Sequence, residues 1–417
     1  MSIITSLSRT WLTGTFKPFV FKNEYDQILP FSGCENLGLY VHIPFCKSIC
    51  NFCPYCKVKF EEDICNKYID SLIKEIHIVG GQYKGKKEVT SLYFGGGTPA
   101  LALYRIKEII DAINEHFIIR EGIGIELHPD NVRVDVLKVL KDAGVSKISI
   151  GIQSFVDKHQ KILGRKKTDP DEIHKALSAV SFETVSIDYI FALPGQTFED
   201  LKYDIDKAFS IGANHVAVYP FIDFTFTDSK VKAMDKRKKR KLLDDITNYC
   251  LGKGYTRSSI WTFSSEPQAN YSSMTRDNFI GFGCSATSLF MDQFKINTFD
   301  VSSYCRRINS GSLATSVTTR FIKKQRMVYW LFWTAYSTKV RSADFEKFFG
   351  KPLKKVYGIE LFVAKLLGFI TEDNGTYQMT LKGAFYYHYF ESFYTLSYID
   401  KMWGIMRKEA FPKYIEL

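Results

Sequence analysis

No apolar run in this sequence reaches the roughly 20 residues that a bilayer-crossing helix needs. The N-terminus lacks the basic, apolar and small-residue succession of a secretory leader. Both absences lead us to expect a soluble protein of the cytoplasm. Cysteine is scarce: nine in 417 residues are too few for a disulfide scaffold. Yet four of the nine, Cys46, Cys50, Cys53 and Cys56, crowd into HIPFCKSICNFCPYCK, and in a reducing compartment such a cluster is a metal site first. Acidic residues are outnumbered by basic ones, 45 to 56, for a formal charge of +11. That surplus suits nucleic acid, a membrane surface or an anionic small molecule. No interleaving of aromatic and basic residues marks an RNA binder, so nucleic acid is not expected as a partner. The densest basic run, Lys236 to Lys241, leads directly into Leu242 and Leu243, as on a helix with one solvated and one buried side.

What is present is an alternation of strand and helix. Apolar, β-rich segments occur at Leu37 to Ile43, Val89 to Phe94, Gly122 to Leu127, Lys147 to Ile152, Val185 to Leu193 and His215 to Ile222. Segments of helical period separate them, several with capping residues at the start or glycine at the end. Alternation of this kind implies parallel strands with right-handed crossovers. Six units predict an α/β fold, a partial (β/α)6 barrel, with its ligand end where the strand C-termini meet their loops. The cysteine run follows the first strand at that end. Beyond residue 320 the texture changes to three helices and a hairpin turning at Asn374-Gly375, the order of a small winged-helix-like α/β module. The run from Tyr386 to Trp403 then places aromatics on nearly every helical face, more than one buried stripe needs. We divide the chain into an N-terminal extension (1–36), the barrel (37–225), a barrel extension (226–320) and the C-terminal aromatic-rich domain (321–417).

Chemically, CxxxCxxC over Cys46, Cys50 and Cys53 lets one loop hold three corners of an iron–sulfur cubane and leave the fourth iron open. A zinc ribbon would want a second CxxC, which Cys65, Cys250, Cys284 and Cys305 do not supply. A thioredoxin-like use of Cys53 and Cys56 would not need two cysteines upstream.

YVHIPFC with CxxxCxFC (Tyr40 to Cys53) resembles the radical S-adenosylmethionine superfamily, in the branch containing the oxygen-independent coproporphyrinogen III oxidases. FGGGTP (Phe94 to Pro99), ELHPDNV (Glu126 to Val132), ISIGIQSF (Ile148 to Phe155), IDYIFALPGQT (Ile187 to Thr197) and GFGCSATS (Gly281 to Ser288) follow in the family's order. The resemblance implies a 4Fe-4S cluster on Cys46, Cys50 and Cys53. It also implies S-adenosylmethionine held by Tyr40, Phe52, Gly96, Gly97, Thr98, Glu126, Gln153, Arg165 and Asp188. Within that set, Arg165 pairs with the cofactor carboxylate, a task for a planar fork, and Thr98 caps the glycine turn. His42 reads as a satisfied strand histidine.

The implied activity is reductive cleavage of S-adenosylmethionine, giving a 5′-deoxyadenosyl radical that acts on a tetrapyrrole. Oxidative decarboxylation of propionates leads, radical methylation or heme ring opening stands beside it, and a non-catalytic heme chaperone is the alternative from another class. A low-potential donor of flavodoxin or ferredoxin type is the implied electron source. The family's C-terminal domain covers substrate, a use for the surplus aromatics. Cys56 departs from the family pattern, in which the decarboxylating oxidases carry C-x-C. Tyr40 and Cys56 are the candidate catalytic residues, with Cys56 either a donor near substrate or a shielded thiol.

Overall fold

The computed structural model describes residues 9–24, 26–266 and 277–417. The six apolar segments form strands Leu37–Ile43 (β1), Leu92–Gly96 (β2), Ile123–Leu127 (β3), Lys147–Gln153 (β4), Thr184–Phe191 (β5) and His215–Pro220 (β6). In β1 the side chains of Leu37, Leu39, Val41 and Ile43 are all buried, and so are those between them except Tyr40. A strand covered on both faces reads as such a continuous run. The spatial order is β6-β5-β4-β3-β2-β1 and each neighbouring pair is parallel. Helices make the crossovers. The one over Phe198–Ser210 begins at a capping box in which Thr197 and Asp200 each satisfy the other's backbone N–H.

The barrel stays open because both ends of this sheet continue. Strand Thr262–Ser264 pairs antiparallel with β6, and Asn278–Phe282 (β7) pairs parallel with β1. The sequence shows β7 only as the start of a glycine-rich element. From β7 the sheet runs antiparallel through Thr287–Phe290, Gln293–Asn297 and Thr315–Arg320, then through Val20–Lys22 to Tyr414–Glu416. Part of the expected N-terminal extension is thus built into the main sheet, clamped by the C-terminal tail. Strands of three residues are too short to carry a period, so sequence does not reveal them. Residues 1–8 of that extension lie outside the described residues.

Helices Lys323–Tyr336, Ser342–Phe349 and Leu353–Leu366 pack with strands Lys339–Arg341, Ile370–Asp373 and Thr376–Met379 around Met327, Trp330, Phe345, Phe349, Leu353, Tyr357 and Tyr377. This is a winged-helix arrangement. Its hairpin turns at Asn374 and Gly375, φ 46° and 76°, the left-handed pair that a two-residue hairpin turn requires. Helix Leu381–Tyr394 then passes through a π turn over Thr395–Ile399 into helix Asp400–Met406. Asp400 accepts hydrogen bonds at 2.7 Å from both the backbone N–H and the hydroxyl of Thr225, pinning this segment over the barrel mouth. The basic run is the expected two-sided helix, its cations mostly exposed and Leu242 and Leu243 buried. It opens a helix capped by Asp235, and two of its cations also meet C-terminal aromatics: Lys236 lies 3.4 Å from the Tyr389 ring centre and Arg240 5.0 Å from that of Phe385. Among the described residues no helix is long and apolar enough to cross a membrane.

Candidate functional site

The cysteine loop leaves the C-terminal end of β1 and is closed at its base, where Phe45–Cys46 pairs with Val58–Lys59. Cys46, Cys50 and Cys53 are half-buried at the mouth, whereas Cys56 is buried. Burial pushes the Cys46 thiol up to about 11 and raises Cys53 as well, with Lys57 opposing in the latter case. Such thiols stay protonated until a cation compensates their charge. Among the described residues, two trios bring metal-ligating atoms within 4.8 Å of one another, and these three cysteines are neither of them. Their spread suits a polynuclear cluster rather than one ion. Thr98 does not cap its turn as expected: it makes no capping hydrogen bond, and its hydroxyl instead donates to Cys46 Sγ at 3.9 Å.

The glycine ridge crowds against β1. A Cβ on Gly97 would come within 2.5 Å of the Phe45 carbonyl oxygen, and one on Gly96 within 2.8 Å of the His42 ring. Only glycines let the chain pass here, and the Gly97 and Thr98 N–H groups bond Ile43 and Phe45 carbonyls at 2.8 and 2.7 Å. Glu126, the penultimate residue of β3, accepts from Tyr93 Oη at 3.1 Å and Gly96 N–H at 3.3 Å, while burial raises its pKa. Asp188 on β5 accepts from Ser149 Oγ at 2.8 Å, and burial, with a smaller push from Glu126, raises it to about 7. Two partly buried carboxyls, one on β3 and one on β5 with β4 between them, are a receptor for a cation.

Gln153 ends β4 at φ 72°, where the β4–β5 register shifts. Arg165 donates through Nη1 to the Gly151 carbonyl and lies 5.8 Å over the Phe52 ring, yet its Nε is buried without a hydrogen bond. A guanidinium so held has an unfilled edge for an anion. Its charge adds to the effect of burial, the larger cause, in pushing His128 down to about 4. Phe52 packs with Leu163, Ile190, Leu193 and Phe221 in a small apolar cluster.

A cavity of about 620 Å³ gathers Tyr40, His42, Cys56, Gly96 and Glu126 on its floor, under a roof that includes Phe299, Tyr398 and Trp403. Gly97, Thr98, Gln153, Arg165, Asp188, Phe52 and the three loop cysteines are not in this wall. Sequence reasoning pointed to Tyr398 and Trp403 within the aromatic run but missed Phe299, Arg407 and Arg9. Trp403 stacks on Phe224 at 6.4 Å and 11° and meets Phe299 at 6.0 Å and Tyr55 at 6.2 Å. Arg407 donates to the Pro54 carbonyl of the cysteine loop. Arg9, from the N-terminal extension, brings a cation to the cavity wall. The aromatic density of 386–403 was the available signal for the roof; nothing local marks Arg9 or Phe299.

Residues 40–208 match the family model described as "Radical SAM superfamily". The chain is 33% identical to heme chaperone HemW of Bacillus subtilis over 189 residues, 44% of this chain and half of that protein. With heme chaperone HemW of Lactococcus lactis it is 30% identical over 264 residues, 60% of this chain and 68% of that one. With the oxygen-independent coproporphyrinogen III oxidase of Pseudomonas aeruginosa it is 26% identical over 308 residues, 67% of each. Among solved structures, coproporphyrinogen III oxidase from Escherichia coli superposes with a TM-score of 0.73 at 21% identity, over 90% of this chain and 92% of that one, a likeness of fold.

Proposed function

Because the chain belongs to the radical S-adenosylmethionine superfamily, in the family that includes heme chaperone HemW and the oxygen-independent coproporphyrinogen III oxidases, we propose that it abstracts hydrogen from a tetrapyrrole bound in the roofed cavity. Members of the superfamily use a 4Fe-4S cluster with S-adenosylmethionine, which together supply a 5′-deoxyadenosyl radical. Cys46, Cys50 and Cys53 would hold the cluster, and the thiol of Cys56, buried apart from them, would not. Glu126 and Asp188 receive the cofactor's ammonium or ribose hydroxyls, and Arg165 offers its unpaired edge to the carboxylate. The glycine ridge brings backbone close enough for carbonyl contact. Tyr40, its hydroxyl 2.9 Å from His42 Nδ1, forms the cavity floor beside Glu126.

The observation that carries the reading is that one cavity joins Tyr40, Gly96 and Glu126, here proposed to hold the cofactor, to a wall of Phe299, Tyr398, Met402 and Trp403. A flat, conjugated macrocycle with acidic side chains fits an aromatic roof and a net charge of +11. The roof also excludes water from radical chemistry. Anaerobic incubation of the cluster-loaded protein with S-adenosylmethionine, a low-potential reductant and coproporphyrinogen III or heme, with products followed by mass, tests this. Loss of carboxyl groups, gain of methyl or ring opening each supports turnover and names the reaction. The higher identity to the two heme chaperones favours a second reading, heme binding without turnover. Stoichiometric heme binding with no product mass would select it.

A further inference from the structure

Behind the cysteine loop, His42, Cys56 and Cys284 are all buried and bring a ring nitrogen and two Sγ atoms within 4.8 Å of one another. They come from three elements that meet only in the fold: β1, the end of the cysteine loop, and the turn after β7. We propose that this trio is a second, mononuclear metal site for a thiophilic divalent cation, zinc in the first instance, distinct from the three cluster cysteines and beside the cavity.

The sulfur atoms stand 3.9 Å apart. Two thiolates on one tetrahedral zinc, each with a bond of about 2.3 Å, stand about 3.8 Å apart. Those thiols would therefore close on an ion with almost no movement. The imidazole is already oriented: Tyr40 Oη lies 2.9 Å from His42 Nδ1, the outer partner that a metal-binding histidine normally has, which leaves Nε2 for the ion. At present Nε2 lies 3.0 Å from the Cys56 carbonyl oxygen and 3.3 Å from Ser285 Oγ.

The turn carrying Cys284 is rigid. Gly283 N–H donates to Glu75 at 2.7 Å, and its carbonyl accepts from Asn297 Nδ2 at 2.9 Å. Cys284 N–H donates to Tyr68 Oη at 2.9 Å, and that hydroxyl donates to the His42 carbonyl at 2.7 Å, tying two of the three ligand-bearing elements together. At Gly283, φ is 99° and an added Cβ would lie 2.5 Å from Tyr68 Oη, so the turn accepts no side chain there. Without an ion the pair rests as thiols, Cys56 Sγ donating to the Phe299 carbonyl at 3.2 Å, and an ion would take up their charge on deprotonation. Two buried thiolates repel and are costly in an apolar interior, whereas two thiolates with a divalent cation are neutral. His42, Cys56 and Ser285 line the cavity, so a fourth ligand could reach the ion from that side. Three protein ligands with one open position are the pattern of a zinc that binds or polarises an oxygen of a ligand.

A full-length chain with Cys46, Cys50 and Cys53 all replaced by Ser, titrated anaerobically with Co²⁺ and then Zn²⁺, tests this without cofactor or activity. The expected result is one equivalent of cobalt with thiolate-to-metal charge-transfer bands, displaced by zinc and lost on adding Cys284→Ala. Thiolate bands also exclude the exposed trio His77, Glu115 and His116, which has no sulfur. Absence of those bands, or their survival in Cys284→Ala, would overturn the site. Should the triple variant not fold, the unaltered chain with its cluster reconstituted is assayed for zinc. One zinc per chain beyond the iron, lost in Cys284→Ala, supports the proposal, while no such zinc, or a Cys56–Cys284 disulfide found by thiol counting, rejects it.

Discussion

At the scale of single residues, the four clustered cysteines divide by burial: three half-buried thiols at the loop mouth and one enclosed beneath it. Replacing Cys46, Cys50 or Cys53 with Ala should abolish retention of iron and sulfide after anaerobic reconstitution, whereas Cys56→Ala should keep both. Iron loss in Cys56→Ala equal to that in the others would refute the division. Arg165 is the second residue whose role has a direct readout. Arg165→Lys keeps the charge but cannot use a planar edge, so S-adenosylmethionine affinity should fall about tenfold with iron content unchanged. Calorimetry on reconstituted protein decides, and an unaltered affinity removes Arg165 from the site. The cysteine loop could be picked out in sequence because its CxxxCxxC spacing is local. Arg165 was not legible from spacing; only family resemblance suggested its task. His42 and Cys284 are 242 positions apart, so no local pattern could pair them.

At the scale of elements, the strand ends are held by buried polar groups. Asp204, on the helix over Phe198–Ser210, accepts from Ser154 Oγ and Phe155 N–H, each at 2.7 Å, and so fixes the turn that follows β4. Burial raises its carboxyl from an ordinary value near 3.8 to about 7. A folded-state pKa raised above the unfolded one stabilises the protein fully only below about pH 4, and that contribution fades as pH rises toward about 7. The parent should therefore lose a few kcal/mol relative to Asp204→Asn across that window. Denaturant midpoints of both proteins at about pH 5 and about pH 8 give the comparison, and a difference that does not change with pH contradicts the assignment. Gly97→Ala drives a methyl into the Phe45 backbone and should cost about 1 to 3 kcal/mol and loosen the cysteine loop. An unchanged denaturant midpoint would show that the ridge is not tight. Strands β1 to β6 were visible because each is a long apolar run, and the hairpin because Asn374-Gly375 is a turn signal. Strand β7 was not, since its glycines look like a loop until β1 supplies its partner.

At the scale of the whole molecule, the barrel mouth is closed by chain from both termini. Arg9 reaches the cavity wall, the Val20–Lys22 and Tyr414–Glu416 strands pair, and Trp403 and Arg407 descend onto the cysteine loop. Aromatic density foretold a covering surface, but its placement depends on long-range contacts such as Asp400 with Thr225, which composition cannot encode. If the roof binds the tetrapyrrole, Trp403→Ala should weaken binding of heme or coproporphyrin about tenfold, with S-adenosylmethionine affinity and iron content preserved. Equal affinity by absorbance titration would place the ligand elsewhere. The central claim is that cofactor site and roofed cavity work on one bound molecule. Its most direct measurement is anaerobic turnover with a deuterated tetrapyrrole under low-potential reductant, reading deuterium in the 5′-deoxyadenosine formed. The account predicts substrate-stimulated 5′-deoxyadenosine carrying the label, whereas a cluster-loaded protein that binds the tetrapyrrole and yields no 5′-deoxyadenosine would contradict it.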